Sequence, residues 1–145
     1  MYKARIADLT GLSHIWDNPR VADPIKRKPL DFIGSSREDL RTFPKEVRIA
    51  MGTALNSAQL GGKHPSAKPM KGFRGAGVLE IVDDFDGDAY RAVYTVKFEA
   101  IVYVLHAFQK KSKKGIETPK SDLDLVKVRY KFAEKAYREL KAARR

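Results

Sequence analysis

Three basic side chains in two strand-like segments have the chemistry needed to act on an RNA phosphodiester. Arg91 lies in YRAVYTVKF (90–98), and His106 and Lys110 lie in AIVYVLHAFQK (100–110). Histidine can give or take a proton near neutral pH, and arginine binds phosphate through a planar, permanently charged fork. A lysine can stabilise the charge that grows on a phosphate, or can transfer a proton when nearby positive charge lowers its pKa. Together these groups predict metal-independent RNA cleavage, in which the 2′-hydroxyl of the RNA attacks its own phosphate.

Further basic residues flank these segments, in the loop before the first strand of the group and in the run after the last. They are Lys68, Lys71, Arg74, Lys111, Lys113 and Lys114. Lys68, Lys71, Arg74, Lys113 and Lys114 are predicted to bind the RNA backbone. The three histidines are scattered and the chain has no cysteine, so neither a metal site nor a cofactor is predicted.

Each of these groups also has a structural explanation, which the sequence leaves open. Arg91 can form a salt bridge to Glu80, whose alternation places it on the same face of a sheet. A single strand histidine such as His106 is more often a hydrogen-bonded structural residue than a catalytic one. A lysine run after a strand is more often a solvated loop, because lysine is favoured at sheet edges.

Composition favours a single globular domain with a polyanionic partner. The chain has 145 residues, 43% of them hydrophobic, and 29 Lys+Arg against 18 Asp+Glu give a net charge of +11. Such a balance favours nucleic acid first, and an anionic membrane or an acidic protein second. The first 20 residues lack the apolar core of a secretory signal, and no apolar run approaches the length of a membrane span. We therefore expect a cytoplasmic protein without a membrane partner.

The hydrophobic pattern predicts an α+β fold, made of an N-terminal strand, a helical hairpin, a three-stranded antiparallel meander and a C-terminal helix. The strand is predicted over 30–33, and Ser36 is predicted to cap the first helix with Asp39 as its capping-box acid. Pro44 suits the first turn of a second helix, which ends at Gly61. Residues 61–77, with alternating Gly, Pro and basic residues, are predicted as a loop.

The meander is predicted over 78–85, 90–98 and 100–110, with Asp86-Gly87 as its first turn. If the helical hairpin covers the aromatic face of the middle strand, Arg91 lies on the other face. The last strand pairs beside the middle one, so His106 and Lys110 are predicted to converge with Arg91 on one concave surface. On strict alternation, two groups occupy opposite faces of the last strand: Ile101, Tyr103, Leu105 and Ala107 on one, and Val102, Val104, His106, Phe108 and Lys110 on the other. A last helix, starting at 118–121, has an apolar stripe from Leu123 to Leu140.

The segments YRAVY, VLHAFQKKS and TPKSDLDLVKVR resemble the RelE/ParE toxin superfamily, in its phage-derived HigB-like branch. KPLDFIGSSREDLRTFPKEVR and GGKHPSAKPMKGF are similar to that branch too. The resemblance runs from about Lys28 to Arg138, which leaves 1–27 as an N-terminal arm before a RelE-like domain over 28–145.

This resemblance implies the toxin of a type II toxin–antitoxin system, which cuts mRNA on the translating ribosome and is silenced by a small antitoxin, often a helix-turn-helix protein. Arg91 matches the strand arginine that contacts the scissile phosphate. Lys110 or Lys111 matches a basic position that stabilises charge or donates a proton. His106 matches the histidine of the branch's LHxFxKK pattern, and Lys71 matches a basic residue ahead of the meander.

The chain departs from RelE-like nucleases in the first meander strand. Where those nucleases carry lysines, this chain has Val78, Glu80 and Val82. Two other functions therefore remain open: a ParE-like inhibitor of DNA gyrase, because one fold hosts both activities, and an RNA-binding protein without catalysis.

Overall fold

A five-stranded sheet lies at the centre of the described part of the protein. The structure, a computed structural model, describes residues 26–73, 75–110 and 118–144. The strands are β1 (Leu30–Phe32), β2 (Ala67–Pro69), β3 (Val78–Phe85), β4 (Asp88–Thr95) and β5 (Val102–Lys110). The helices are α1 (Ser36–Arg41), α2 (Lys45–Gln59) and α3 (Lys120–Ala143). The strand order is β1-β5-β4-β3-β2, with β1 parallel to β5 and the other pairs antiparallel.

This architecture confirms the predicted α+β class and the order strand, two helices, meander, helix. The sheet has one strand more than predicted, because β2 lies in the segment 61–77 that the sequence assigns to a loop. Three residues give no readable alternation, and Pro69 is tolerated because β2 is an edge strand. Of the predicted arm over 1–27, only residues 26 and 27 lie within the described residues, where the Arg27 Nε atom donates to Asn56 Oδ1 at 3.1 Å.

The turn between β3 and β4 confirms the predicted hairpin. Asp86 and Gly87 have φ angles of 52° and 85°, so both central residues adopt the left-handed region that a type I′ turn requires. This turn sets the register in which Val82 faces Arg91 and Glu80 faces Val93.

The predicted cap of α1 is wrong. Ser36 is the first helical residue, and its Oγ atom donates to the Val104 carbonyl of β5 at 3.1 Å. Ser35 occupies the N-cap position, and its hydroxyl donates to Asp39 Oδ2 at 2.8 Å instead of capping the backbone. Local spacing could not reveal this, because the acceptor of Ser36 lies on a distant strand.

The two faces of the sheet are covered by different helices. Helices α1 and α2 pack on one face, where Tyr90, Ala92 and Tyr94 meet Val47 and Met51, as predicted for the aromatic face of the middle strand. Helix α3 packs on the other, which we call the α3-side face. Its core residues are Val78, Val93, Ile101, Tyr103, Leu105, Val126 and Ala133.

The predicted strict alternation along the last strand breaks at Leu105 and is therefore wrong from His106 to Lys110. Val93 pairs with His106 whereas Tyr94 pairs with Val104, so Leu105 is an extra residue that forms a β-bulge. The bulge places His106 on the same face as Leu105, the α3-side face.

Ala107 is displaced by the same bulge. It joins Val102 and Val104 in the core beneath α2, not Tyr103 and Leu105 as strict alternation predicts.

Within the described residues, no helix is both long enough and apolar enough to cross a membrane.

Candidate functional site

The strand register brings Arg91, His106 and Lys110 together on the α3-side face. Arg91 lies opposite Phe108, so His106 and Lys110 are its two diagonal neighbours on β5. Diagonal neighbours in antiparallel strands are about 7–8 Å apart. All three side chains are buried, with exposed fractions of 4%, 6% and 7% respectively. The predicted convergence on one face is therefore present, but the three side chains are buried rather than exposed.

Arg91 forms the salt bridge to Glu80 that the sequence left as an alternative. Its Nη1 atom lies 3.2 Å from Glu80 Oε2 and also donates to Thr118 Oγ1 at 3.3 Å, just ahead of α3. The Nζ atom of Lys68, on β2, lies 3.7 Å from Glu80 Oε1. Burial of a guanidinium is costly unless a carboxylate compensates its charge, and Glu80 supplies that carboxylate. One carboxylate between two cations leaves this trio with a net positive charge.

His106 is held between two charged groups of α3. Its Nε2 atom lies 2.7 Å from Asp122 Oδ1, and its Nδ1 atom lies 3.5 Å from Arg129 Nη1. Arginine can only donate, so the network assigns a lone pair to Nδ1 and a proton to Nε2, which donates to the carboxylate. Both ring nitrogens are thus engaged, and His106 can exchange a proton with a substrate only if one of these contacts opens.

Arg129 extends this network to β5 and α1. Its Nη1 atom donates to the carbonyl of the bulge residue Leu105 at 3.0 Å, and its Nη2 atom donates to Ser35 Oγ at 3.0 Å. Burial lowers the pKa of Arg129 while the carboxylate of Asp39 raises it, and arginine titrates so far above neutrality that the guanidinium stays charged. The network therefore ties three elements together around His106.

Phe108 forms an aromatic surface beside Arg91. Its ring stacks on that of His106, with centroids 4.8 Å apart and an interplanar angle of 21°. Because Phe108 is directly opposite Arg91, a cation and a half-buried ring are adjacent on the α3-side face.

The remaining predicted residues are placed in part. Lys68 and Lys71 are exposed, on β2 and in the turn after it, and Lys68 shares the face of Glu80. Arg74, Lys111, Lys113 and Lys114 lie outside the described residues. Among the residues that the structure does describe, no cluster of three or more His, Asp or Glu side chains could hold a metal ion.

Sequence reasoning missed the α3 residues that contact the site. Asp122 and Arg129 are seven residues apart, two helical turns, so both lie beside Val126 on the side of α3 that faces the sheet. The available signal in the sequence was that both residues are charged and flank the stripe of α3 that is predicted to be buried. The sequence alone could not reveal their partner, because the stripe could pack on either face of the sheet.

As described, the site is a closed cationic cluster. Arg91 and His106 both have structural partners. These side chains can therefore bind a phosphate only after some of those contacts have opened. The residue types remain those of proton transfer and charge stabilisation. The catalytic role of each group stays a prediction.

A comparison with family models adds one finding. A model described as phage derived protein Gp49-like (DUF891) matches residues 38–131, more than half of the chain. The match spans Arg91, His106 and Lys110, together with Glu80, Asp122 and Arg129. No curated protein matches the chain.

Proposed function

Because the chain belongs to the phage-derived Gp49-like family, which is associated with RelE-like toxins, we propose that it is the toxin of a type II toxin–antitoxin pair. In this proposal it acts as a ribosome-dependent, metal-independent mRNA endonuclease of the HigB-like kind. Its substrate, mRNA on the translating ribosome, puts its site of action in the cytoplasm. Its silencing partner is a small antitoxin, often a helix-turn-helix protein in such pairs.

One observation carries this proposal: Arg91, His106 and Lys110 share one sheet face at diagonal positions of two paired strands. A scissile phosphate and its ribose are of similar size to this spacing, so one nucleotide unit can meet all three groups. Arg91 binds the phosphate, Lys110 or Lys111 stabilises the developing charge or protonates the leaving oxygen, and His106 transfers a proton. Lys68, Lys71, Arg74, Lys113 and Lys114 bind the flanking backbone.

Because Arg91 is buried and paired, a substrate phosphate has to displace one of its partners before it can bind. Arg91 is 4% exposed and bonded to Glu80, so the phosphate has to take over the position of that carboxylate. A phosphate is a strong bidentate partner for arginine, which makes this exchange physically reasonable. The ribosome supplies the binding energy for the rearrangement in this proposal, consistent with cleavage that depends on it.

A second candidate is a ParE-like inhibitor that binds DNA gyrase without cutting RNA. It is favoured by Glu80, whose carboxylate compensates the charge of Arg91. Glu80 lies in the strand where RelE-like nucleases carry lysines. A third, RNA binding without cleavage, needs only the basic surface.

The test is induced expression of the wild-type chain, of Arg91→Gln and of the double variant Lys110→Gln/Lys111→Gln, with mapping of mRNA ends. Wild type is expected to arrest growth and to create new 5′ ends within translated codons, and both variants are expected to lose at least about a hundredfold of cleavage. Lys141→Gln, an exposed position at the far end of α3, is the matched control and should cut as wild type does.

Circular dichroism and urea unfolding separate loss of the site from loss of the fold, because Arg91 also has a structural partner. Cleavage that persists in folded Arg91→Gln would reject the assigned site. Growth arrest with intact transcripts and a DNA-damage response would favour the gyrase inhibitor instead.

A further inference from the structure

Helix α3 has a second apolar stripe beside the one that packs on the sheet. The buried stripe contains Val126 and Ala133. The second contains Val128 and Phe132, which are 50% and 56% exposed. A helix with one buried stripe normally has a polar opposite side, so a second stripe of large apolar residues requires an explanation.

This second stripe forms one wall of an open groove with a volume of about 510 Å³. The end of β1 forms the opposite wall. The apolar residues of this surface, which we call the α3 groove, are Phe32, Ile33, Leu125, Val128, Phe132 and Ala136. Gly34, Arg129, Lys135 and Glu139 complete its lining.

The dimensions of the α3 groove fit a helix. Leu125, Val128, Phe132 and Ala136 follow the spacing i, i+3, i+7, i+11, which spans about 17 Å along α3 at a rise of about 1.5 Å per residue. An amphipathic helix of three to four turns presents apolar side chains with the same spacing, and helix-in-groove recognition uses such matching anchors.

The charge around the groove favours an acidic occupant, because Arg129 and Lys135 of its lining and the neighbouring lysines outnumber the carboxylate of Glu139. Lys127, Lys131 and Lys135 are exposed and each directly precedes a residue of the apolar stripe, so a basic row runs alongside it. Carboxylates flanking the apolar face of a bound helix can pair with this row. A second copy of this chain, with its own net charge of +11, would meet electrostatic repulsion. A nucleic acid can pair with the lysines but has no aliphatic side chains to fill the apolar walls.

We propose that the α3 groove docks an acidic amphipathic helix of a separate polypeptide. The apolar stripe supplies the burial that drives association, and the basic row fixes orientation and raises the association rate. This proposal does not depend on the nuclease proposal, because it concerns another surface and its test contains no RNA.

A fluorescent synthetic helix provides the probe. It carries leucines at i, i+3, i+7 and i+11 and glutamates on both flanks, and its binding to the full chain is measured by fluorescence anisotropy. Val128→Glu and Phe132→Glu are each expected to weaken binding at least about tenfold, because a like charge replaces a central anchor. Ile49→Glu, at an exposed apolar position of α2, is the matched control and should bind within about twofold of wild type.

Arg129 is left unchanged in every variant, because it also holds the His106 network. The same peptide with lysine in place of glutamate should bind more weakly, and added salt should weaken binding of the acidic peptide. Failure of the wild-type chain to bind the acidic peptide, or equal binding by Phe132→Glu, would overturn the proposal.

Three further outcomes would assign the groove to another occupant. Sedimentation could show a wild-type dimer that Phe132→Glu converts to a monomer. A peptide with the sequence of residues 1–25 could bind more tightly than the acidic probe. Phosphatidylglycerol vesicles could bind wild type and not Phe132→Glu, with no peptide binding. Each of these results contradicts a separate acidic helix as the partner.

Discussion

The side chain of Arg91 has one structural role and one proposed functional role. As a buried guanidinium it needs a carboxylate, which Glu80 supplies at 3.2 Å. As a proposed phosphate ligand it needs to offer its charge to a substrate. These demands are compatible only if the phosphate replaces Glu80, and the second cation on that carboxylate, Lys68, then keeps Glu80 partly compensated. Glu80 can thus be an exchangeable stand-in for the substrate phosphate.

The two partners of Glu80 are predicted to differ sharply in their effect on stability. Arg91→Ala leaves a buried carboxylate without its main partner and is expected to cost about 3–5 kcal/mol, whereas Lys68→Ala, at an exposed side chain, should cost at most about 1 kcal/mol. Urea unfolding measures both. Equal costs would show that Glu80 does not depend on Arg91 for its compensation.

Two buried tyrosines predict a loss of stability at alkaline pH. Burial raises the pKa of Tyr94 to about 12, and burial, with Asp31 and Tyr137 adding to it, raises the pKa of Tyr103 to about 12. The unfolded chain releases these protons near pH 10, about the ordinary value. The raised folded pKa therefore contributes stability that is fully present below about pH 10 and is lost as pH rises toward about 12.

The urea midpoint, followed across this range, should fall most steeply above about pH 10. Replacing Tyr94 and Tyr103 by Phe removes both titrating groups with little change in shape, and the double variant is expected to show a shallower fall. An unchanged profile in that variant would assign the alkaline loss of stability to other groups.

At the scale of elements, the bulge in β5 and the docking of α3 depend on each other. The bulge leaves the Leu105 carbonyl outside the regular ladder, and Arg129 of α3 donates to it at 3.0 Å. The other nitrogen of the same guanidinium reaches Ser35 at the start of α1. One side chain thus joins the third helix to the strand and to the first helix, and this explains why His106 is enclosed rather than exposed.

Gly34 is predicted to be intolerant of a side chain because of this junction. It has a φ of 59°, and a Cβ added there would lie 2.8 Å from Arg129 Nε and 2.9 Å from Cζ. Gly34→Ala is expected to cost about 2–4 kcal/mol, the sum of left-handed strain and weakened Arg129 hydrogen bonds.

Gly61→Ala is the matched control, because Gly61 also has a positive φ, 87°, but a Cβ there meets no atom within 4 Å. It should cost only the backbone strain, about 1–2 kcal/mol. In an Arg129→Ala background the excess cost at Gly34 should largely disappear, and its persistence would contradict the proposed clash.

At the scale of the whole molecule, two groups of lysines that contribute to a net charge of +11 lie on separate surfaces, for which we propose different partners. Lys68 lies beside the closed cluster through Glu80, and Lys71 is exposed in the turn after β2, whereas the row Lys127, Lys131 and Lys135 borders the α3 groove. Charge by itself attracts any polyanion. The row beside the α3 groove adjoins apolar walls, so we expect it to meet a polypeptide. The lysines on and after β2 belong with residues that can bind phosphate, so we expect them to meet RNA.

Binding of single-stranded RNA is therefore predicted to depend on salt through specific lysines. Each lost phosphate contact should reduce the slope of log K against log salt by about 0.7, so Lys68→Gln combined with Lys71→Gln should reduce it by about 1.4. Lys141→Gln with Arg144→Gln removes the same charge at the far end of α3 and should leave the slope nearly unchanged. Equal effects of the two pairs would mean that RNA binding is not localised at the predicted site.

The sequence by itself determined what short-range interactions control. The Asp86-Gly87 turn, the periodic stripes of α2 and α3 and the face shared by Arg91 and Glu80 all follow from local spacing, and the structure agrees with each. Even the salt bridge of Arg91 could be named as an alternative, because strand parity restricts its partners.

Only the tertiary structure decided what closes the site. Strand β2, the bulge at Leu105 and the contacts of Asp122 and Arg129 with His106 depend on segments distant in sequence. Local patterns specify which side of a helix or strand is apolar, but they do not specify which surface it meets. That choice is made by packing of the whole core, and it buries the three side chains that the sequence predicts to converge on one concave surface.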